Sequence, residues 1–331
     1  MKRTLRIGTR DSQLAVWQAS LVQEQLKKSN VPSELVYIKS EGDLDTTTPL
    51  YALGVTGVFT KALDTALLNN RIDIAVHSMK DVPVQLAQGI VQAAVLKRGS
   101  HKDIFVYKNA DDLHEIGFLN GEWYTAKNGK PMKTSSPRLT VATSSVRRIA
   151  QWLNRYPNHK MENLRGNVNT RLRKVNDSDW HGAIFAAAGL ERINVRPENS
   201  VDLDWMLPAP AQGAIMVVCR EEDKDSIECC RIYNDEETAL CTKIERDFLS
   251  ALMGGCSTPI SALAMVNNGE VKFCGNVLSP DGQQKAEIEK RTSVANANDL
   301  GMLAATEILS RDGRTIVDTI RRKGLTANDE V

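Results

Sequence analysis

The sequence predicts an α/β protein made of two tandem lobes, followed by a separate α+β domain. Three observations carry that expectation. Apolar runs of strand length alternate with amphipathic helical segments from the N-terminus onward. The same strand, hydroxyl residue, helix pattern restarts near residue 139. From about Asp235 the alternation stops, and strands and helices fall into groups.

In the first unit, Leu5-Arg6-Ile7 reads as a short strand. Ser12 stands as the N-cap of a helix to about Lys28, with Leu14, Trp17, Leu21 and Val22 on its inner face. Glu34–Lys39 is a strand, and the polar stretch Gly42–Gly57 is a loop. Val58–Asn69 is helical, Ile72–Val76 fits a buried parallel strand, and Ile90–Leu96 is another strand. In the second unit, Leu139–Ala142 is a strand, Ser144 or Ser145 caps a helix to about Arg155, and Ala183–Ala187 is a further buried strand. A hydroxyl residue at a helix start just after a strand makes an anion site on each lobe. Ala214–Cys219 is a later strand that returns to the first sheet. The third region holds a long helix, strands at Ile260–Val266, Val271–Leu278 and Lys285–Arg291, then helices from Asn298 and Arg314. Residues 117–137 (Gly117 to Pro137), rich in Gly, Lys, Asn, Ser and Thr, read as a surface insertion.

Composition narrows the function. The chain has 331 residues, 42% apolar and 25% charged, which suits a multi-domain globular protein. Its net charge of +1 gives no global pull toward nucleic acid or membrane. The charge is nevertheless uneven. Residues 138–174 carry nine Lys/Arg against the single acid Glu162, and residues 221–247 carry ten acids against four bases. No apolar run reaches membrane-spanning length, and the opening Met1-Lys2-Arg3-Thr4-Leu5 has no signal-peptide core. All six cysteines follow residue 218 in no metal-ligand spacing, so free thiols in a reducing cytoplasm and no metal are expected.

Two constellations carry chemistry. The first is a set of arginines near helix starts and strand ends: Arg10, Arg147, Arg148, Arg165, Arg171 and Arg192. Guanidinium groups grip carboxylates in a bidentate fork, so the set suits a ligand with many carboxylates. Arg147 and Arg148 are adjacent, which predicts that they face different ways. Nucleic acid is the rival ligand, but the chain is 5% aromatic and its basic region lacks interleaved stacking residues. The second is Ile74-Ala75-Val76-His77-Ser78-Met79-Lys80-Asp81-Val82-Pro83. Here a buried strand delivers Ser78, Lys80 and Asp81 to the carboxyl edge of a sheet, where open α/β sheets place ligands. His77 reads as a near-core histidine. Beyond both, the helix ending at Gly254-Gly255 is followed at once by a single thiol, Cys256, with room beside it for a bulky group.

Seven ordered blocks resemble the hydroxymethylbilane synthase (porphobilinogen deaminase) family. They are Arg10–Ala19, Asp73–Pro83, Thr143–Arg148, Leu164–Leu172, Ala188–Arg192, Ala211–Ala214 and Gly254–Cys256. The resemblance implies two lobes like type II periplasmic binding proteins plus a C-terminal α+β domain. It divides the chain into residues 1–100 with 212–233, residues 101–211, and residues 234–331. It implies a cytoplasmic, monomeric transferase of tetrapyrrole (haem) biosynthesis. The reaction joins four porphobilinogen molecules head to tail into hydroxymethylbilane with release of ammonia. The implied cofactor is dipyrromethane, held through a thioether to Cys256, and the implied next partner is uroporphyrinogen-III synthase. Asp81 would hold pyrrole N–H groups and steady positive charge, with Lys80 tuning it or binding a carboxylate. Arg10, Arg147, Arg148, Arg165, Arg171 and Arg192 would bind the ring carboxylates. Ser12, Ser78, Thr143, Ser144, Ser145, Gly166, Asn167 and Gln212 would complete the binding surface, and Phe59 would pack against a ring.

Three positions depart from the family pattern. The stretch Ala52-Leu53-Gly54-Val55-Thr56-Gly57 lacks the lysines many members carry, Ala142 replaces a glycine, and the 117–137 insertion has no counterpart. The competing reading is a non-catalytic bilobed protein that binds small anions, since a bilobed fold alone does not decide chemistry. Asp81 and Cys256 favour the enzyme, because a passive binder has no need of a thiol-linked cofactor.

Overall fold

The computed structural model describes residues 3–39, 60–124, 138–252 and 258–326. The chain opens with β1 (Leu5–Thr9), α1 (Gln13–Lys28), β2 (Ser33–Tyr37), α2 (Lys61–Leu68), β3 (Ile74–Ser78) and β4 (Ile90–Leu96). One 3₁₀ turn, Met79–Asp81, directly follows β3. The chain then crosses to a second lobe: β5 (Asp103–Tyr107), α3 (Asp111–Glu115), β6 (Phe118–Leu119), β7 (Glu122–Trp123), β8 (Thr140–Ala142) and α4 (Val146–Arg155). That lobe continues through β9 (Lys160–Glu162), α5 (Val168–Asp177), β10 (Gly182–Ala186), α6 (Ala187–Glu191) and β11 (Ser200–Asp202). A second crossing returns the chain to the first sheet as β12 (Ile215–Arg220), followed by α7 (Lys224–Arg231).

The two large sheets share one plan. The first runs β2-β1-β3-β12-β4, and the second, read from its far edge, runs β9-β8-β10-β5-β11. In each, three parallel strands are followed by an antiparallel strand that has just arrived from the other lobe. This is the arrangement expected of type II lobes. All six residues of β12 and four of the five in β3 are buried. Strands packed on both faces read as unbroken apolar runs, which is how both were found in the sequence. Leu5, Ile7, Val22 and Leu26 fill one face of the first sheet, and Leu63, Leu67, Ile72 and Met79 fill the other.

Residues 236 onward form the third unit: α8 (Glu236–Ala251), β13 (Ile260–Asn267), β14 (Glu270–Leu278), β15 (Lys285–Ser293), α9 (Leu300–Leu309) and α10 (Gly313–Thr326). Asp235 caps α8 by accepting from Thr238 N. The three strands form an antiparallel meander, and β15 alternates between exposed and covered positions, as a sheet solvated on one face should. Phe248 and Phe273 meet edge to face at 5.1 Å in its core. A Cβ at Gly301 would lie 2.0 Å from Ile244 O, so only glycine lets α9 approach α8 this closely.

The expected surface insertion is held to the lobe beneath it where it is described. Its described part, through Tyr124, includes the β6–β7 hairpin. Trp123 packs 6.1 Å from Trp205 at 83° and donates its Nε1–H to Asp202 O at 2.7 Å. The segment is therefore seated on the second lobe's aromatic core, because two large rings bury more apolar area there than in water. Residues 125–137 lie outside the described residues.

The crossings are tightly built. At Gly213, φ is +87° and a Cβ would meet Ser100 O at 2.6 Å, so the two crossing segments lie backbone to backbone. Beside it, Ala211 holds φ at +61°, a left-handed conformation that costs a non-glycine residue about 1 kcal/mol or more. Glu245 of α8 offsets that strain. Its fully buried carboxylate accepts Ala211 N at 2.6 Å and Ala264 N at 2.8 Å, and pairs with both ends of the Arg98 guanidinium at 2.6 and 3.1 Å. One side chain thus ties the third unit to both crossings.

Candidate active site

The carboxyl edges of the parallel strands deliver the candidate residues. β1 leads to Arg10 and Ser12; β3 to Ser78, Lys80 and Asp81; β8 to Thr143 through Arg148; β9 to Arg165 through Asn167; and β10, through α6, to Arg192. The lobes meet across this edge. Asn169 Nδ2 donates to Gln13 Oε1 at 2.9 Å, and the Arg192 guanidinium lies 5.7 Å over the Trp17 ring. Trp17 was expected on the inner face of α1, but it is 36% exposed, since its ring turns toward Arg192 rather than into the sheet.

At the centre lies Asp103, fully buried at the first position of β5. Arg147 Nη2 reaches its Oδ2 at 2.8 Å, and Arg148 Nη2 and Nε reach Oδ1 at 2.7 and 3.1 Å. Gln212 Nε2 adds a bond to Oδ1 at 3.0 Å and another to His101 O at 2.8 Å. Burial alone would raise the Asp103 carboxyl, but Arg147, Arg148, Gln212 and Lys80 outweigh it and hold it down at about 2. The expectation that adjacent Arg147 and Arg148 diverge is therefore corrected: a buried carboxylate without counter-charge is too costly, and both long side chains swing onto it. Each guanidinium also donates to a carbonyl, Arg147 to Leu207 O at 2.7 Å and Arg148 to Ile184 O at 3.0 Å.

Around this pair the cations crowd. Arg171 is held down to about 10, first by burial and then by Arg148 and Arg165, with Asp81 pulling the other way. Burial takes Arg192 down to about 10 as well, and its Nη2 donates to Gly213 O at 2.6 Å. Burial pushes Lys80 down to about 8; Asp81 and Asp103 favour its charge, and Arg148 and Arg147 oppose it. Among the described residues, Arg10, Lys80, Arg147, Arg148, Arg165 and Arg171 thus share one electrostatic neighbourhood with two carboxylates, Asp81 and Asp103. Guanidinium groups that raise one another's energy are stabilised when an anion enters between them.

Several expected binding hydroxyls and amides serve the fold. Ser12 Oγ accepts from Ala15 N at 3.3 Å as the α1 cap, and Asn167 Oδ1 accepts from Thr170 N at 2.9 Å as the α5 cap. Ser78 Oγ accepts from Gln18 Nε2 at 2.8 Å. Ser144 does not cap α4. Its Oγ lies 2.6 Å from Leu164 O and 2.5 Å from Asn163 Oδ1, with one proton to give between them, and accepts Leu164 N at 3.0 Å, stitching the start of α4 to the exit of β9. Ser145 occupies the cap position without a side-chain bond, and its N–H donates to Thr143 Oγ1 at 3.3 Å. Gly166 takes φ +111°, and its carbonyl accepts Arg171 Nε at 2.7 Å. Phe59, the 52–57 stretch and Cys256 lie outside the described residues.

Residues that sequence reasoning missed are Asp103, Gln18, Arg98, Glu245 and Arg246. Gln18 falls inside the Arg10–Ala19 block without a role being assigned to it, and each of the five acts through a contact distant in the chain. Among the described residues no group of three or more His, Cys, Asp or Glu could hold a metal ion, and no helix is long and apolar enough to cross a membrane. Burial disfavours the reactive thiolate at four of the other cysteines: it pushes Cys219 up to about 11, Cys230 and Cys241 up to about 12, and Cys274 up as well.

His77 is buried, with Nε2 unpartnered, and burial, then Arg10, lowers it to about 4. It is therefore neutral in the fold, whereas the unfolded chain takes up a proton near pH 6.5. The stability this neutrality contributes is complete above pH 6.5 and is lost as pH falls toward 4. Between pH 7 and 4.5 the loss through this residue should be roughly 2–3 kcal/mol. Urea unfolding at the two pH values should show a smaller difference for His77→Gln than for the parent. An equal difference would remove His77 as a cause of acid sensitivity.

Fold and site together define a bilobed α/β protein with a cluster of buried cations gathered around Asp81 and Asp103 at the carboxyl edges of its parallel strands. Comparison with known proteins makes this specific. The family model "Porphobilinogen deaminase, dipyromethane cofactor binding domain" matches residues 5–228, and "Porphobilinogen deaminase, C-terminal domain" matches residues 239–310. The chain belongs to the porphobilinogen deaminase family, a family of transferases. It is 36% identical over 330 residues to the porphobilinogen deaminase of Chlorobium phaeobacteroides (strain BS1), covering 97% of this chain and 99% of that one. It is 35% identical over 325 residues to that of Desulforamulus reducens, with the same coverages. Among solved structures, the methionine binding protein MetQ is similar at 13% identity and TM-score 0.40, covering 71% of this chain and 92% of that one.

Proposed function

We propose that this chain is a hydroxymethylbilane synthase that condenses four porphobilinogen molecules head to tail. The observation that carries the reading is the crowd of mutually repelling cations around Asp81 and Asp103. Porphobilinogen bears an acetate and a propionate, so each added ring brings two carboxylates, and a growing chain needs many such cations. The donor set fits a dipyrromethane, which carries four carboxylates. When bound, that group supplies the free pyrrole α-carbon on which the chain starts. Each turn breaks a substrate C–N bond with release of ammonia, forms a C–C bond to a pyrrole α-carbon, and removes the proton from that carbon.

Asp81, half-buried at the end of the 3₁₀ turn, accepts pyrrole N–H groups and stabilises positive charge that develops in the ring. Lys80 binds a ring carboxylate, which restores the charge that burial weakens. Arg10, Arg165, Arg171 and Arg192 clamp the remaining carboxylates; Arg147 and Arg148 do so with Asp103 setting their direction. Cys256 is the thioether anchor, a reading supported by the raised thiols of Cys219, Cys230, Cys241 and Cys274. We place the enzyme in the cytoplasm as a monomer that hands its product to uroporphyrinogen-III synthase.

The intact mass of the denatured protein, before and after porphobilinogen, tests the whole reading. The parent should weigh more than its chain by one dipyrromethane and gain ring-sized steps with substrate, and Cys256→Ser should show the bare chain. A bare mass for the parent in both samples would favour a non-catalytic binder, and an adduct that persists in Cys256→Ser would move the anchor to another thiol.

A further inference from the structure

We propose that Arg246 is a positioning residue that holds Asp81 in register with the helix leading to Cys256. Arg246 lies on α8, one residue after Glu245, and projects to the first lobe. Its Nη1 donates to Val82 O at 2.9 Å and lies 3.5 Å from Met79 O; its Nη2 donates to Pro83 O at 2.6 Å and Val84 O at 3.2 Å. Four carbonyls of one six-residue stretch thus converge on one guanidinium. That stretch begins with the 3₁₀ turn whose last residue is Asp81.

Two backbone bonds stand beside these. Met79 N donates to Ala214 O at 3.0 Å and Val82 N to Met79 O at 3.1 Å, and Pro83 has no N–H to give. A planar fork with five donors in fixed directions can bind several carbonyls at once, which a lysine ammonium cannot do with the same geometry. The position of Asp81 is therefore set from the third unit as well as from its own sheet. The consequence is mechanical: movement of α8 relative to the first lobe carries the Asp81 turn with it. Glu245, on the same helical turn, fixes the two crossings, so neighbouring side chains hold the site's carboxylate and the connection between its lobes.

The inference rests on the reading of Asp81 as the carboxylate that serves the reaction, and four variants separate the two. Arg246→Ala and Arg246→Lys should carry the parent's covalent mass but turn over about 100-fold more slowly per loaded molecule, with KM within about three-fold. Hydrogen exchange of the peptide spanning residues 79–84 should quicken in both. Lys243→Ala, which removes an exposed ion pair to Asp247 on the same helix, should match the parent in all three readouts. Should Arg246→Ala fail to fold, Arg246→Lys decides. Parental turnover, a missing covalent mass, or unchanged exchange at 79–84 with turnover lost would each overturn the positioning role. Parental turnover in Asp81→Asn, with exchange still quickened in Arg246→Lys, would instead overturn the reading of Asp81.

Discussion

Asp81→Asn is expected to fold like the parent and to lose turnover by about 10²–10³-fold or more, the scale of removing one group aimed at developing charge. The reasons are local. The backbone of the 79–84 turn is held by Ala214 O and Arg246, neither of which uses the Asp81 side chain. Its carboxylate accepts no hydrogen bond from the described residues, so an isosteric amide leaves the packing alone. What the amide removes is the negative charge. Among the described residues, Asp81 is one of two carboxylates beside six cations, and Asp103 is already committed to Arg147 and Arg148. The amide also removes a charge that favours Lys80 and Arg171, so urea unfolding should give a midpoint at or modestly below the parent's while ammonia release and product formation collapse together. Parental rates would remove Asp81 from the chemistry.

Glu245→Gln should have the largest effect on stability, roughly 3–5 kcal/mol, the range for breaking a buried ion pair by removing one partner. Glu245 is fully buried and accepts from four directions: two guanidinium nitrogens of Arg98 and the N–H groups of Ala211 and Ala264. An amide keeps one acceptor oxygen and turns two N–H donors toward groups that are themselves donors. Arg98 is left with an uncompensated charge, and Ala211 loses the bond that holds its left-handed backbone. Adding Arg98→Met should recover part of the loss, because removing both charges costs less than stranding one. A single variant as stable as the parent would show that the pair contributes little across the crossings.

The sequence made the lobes legible where strands are buried on both faces, as in β3 and β12, and where a cap residue such as Ser12 precedes an amphipathic run. It hid β9 and β11, three residues each, which have no room for a pattern. The β6–β7 hairpin was lost for another reason: its place in the fold rests on Trp123 meeting Trp205, and polar composition around it suggested only a loop. At the site, the residue types were readable and their partners were not. Arg147 and Arg148 stood out as an arginine pair, yet the carboxylate that orients them lies 45 residues away, at the start of a strand with no mark of its own. Ser144 and Asn167 looked like ligand donors because hydroxyls and amides near helix starts serve both purposes; only the contacts show that the fold uses them.

The crossed wiring of the two large sheets also bears on how the chain is made. Among the described residues, residues 90–96 have no neighbour in their sheet other than residues 215–220, and residues 74–78 present an open edge until that strand arrives. During synthesis from the N-terminus, the first lobe must wait for more than a hundred further residues before its sheet can close. Unpaired strand edges of this kind attract other chains. A polypeptide released before residue 215 would therefore keep those edges exposed however well its second lobe had formed, and the last strand to join the first sheet acts as the checkpoint for both lobes.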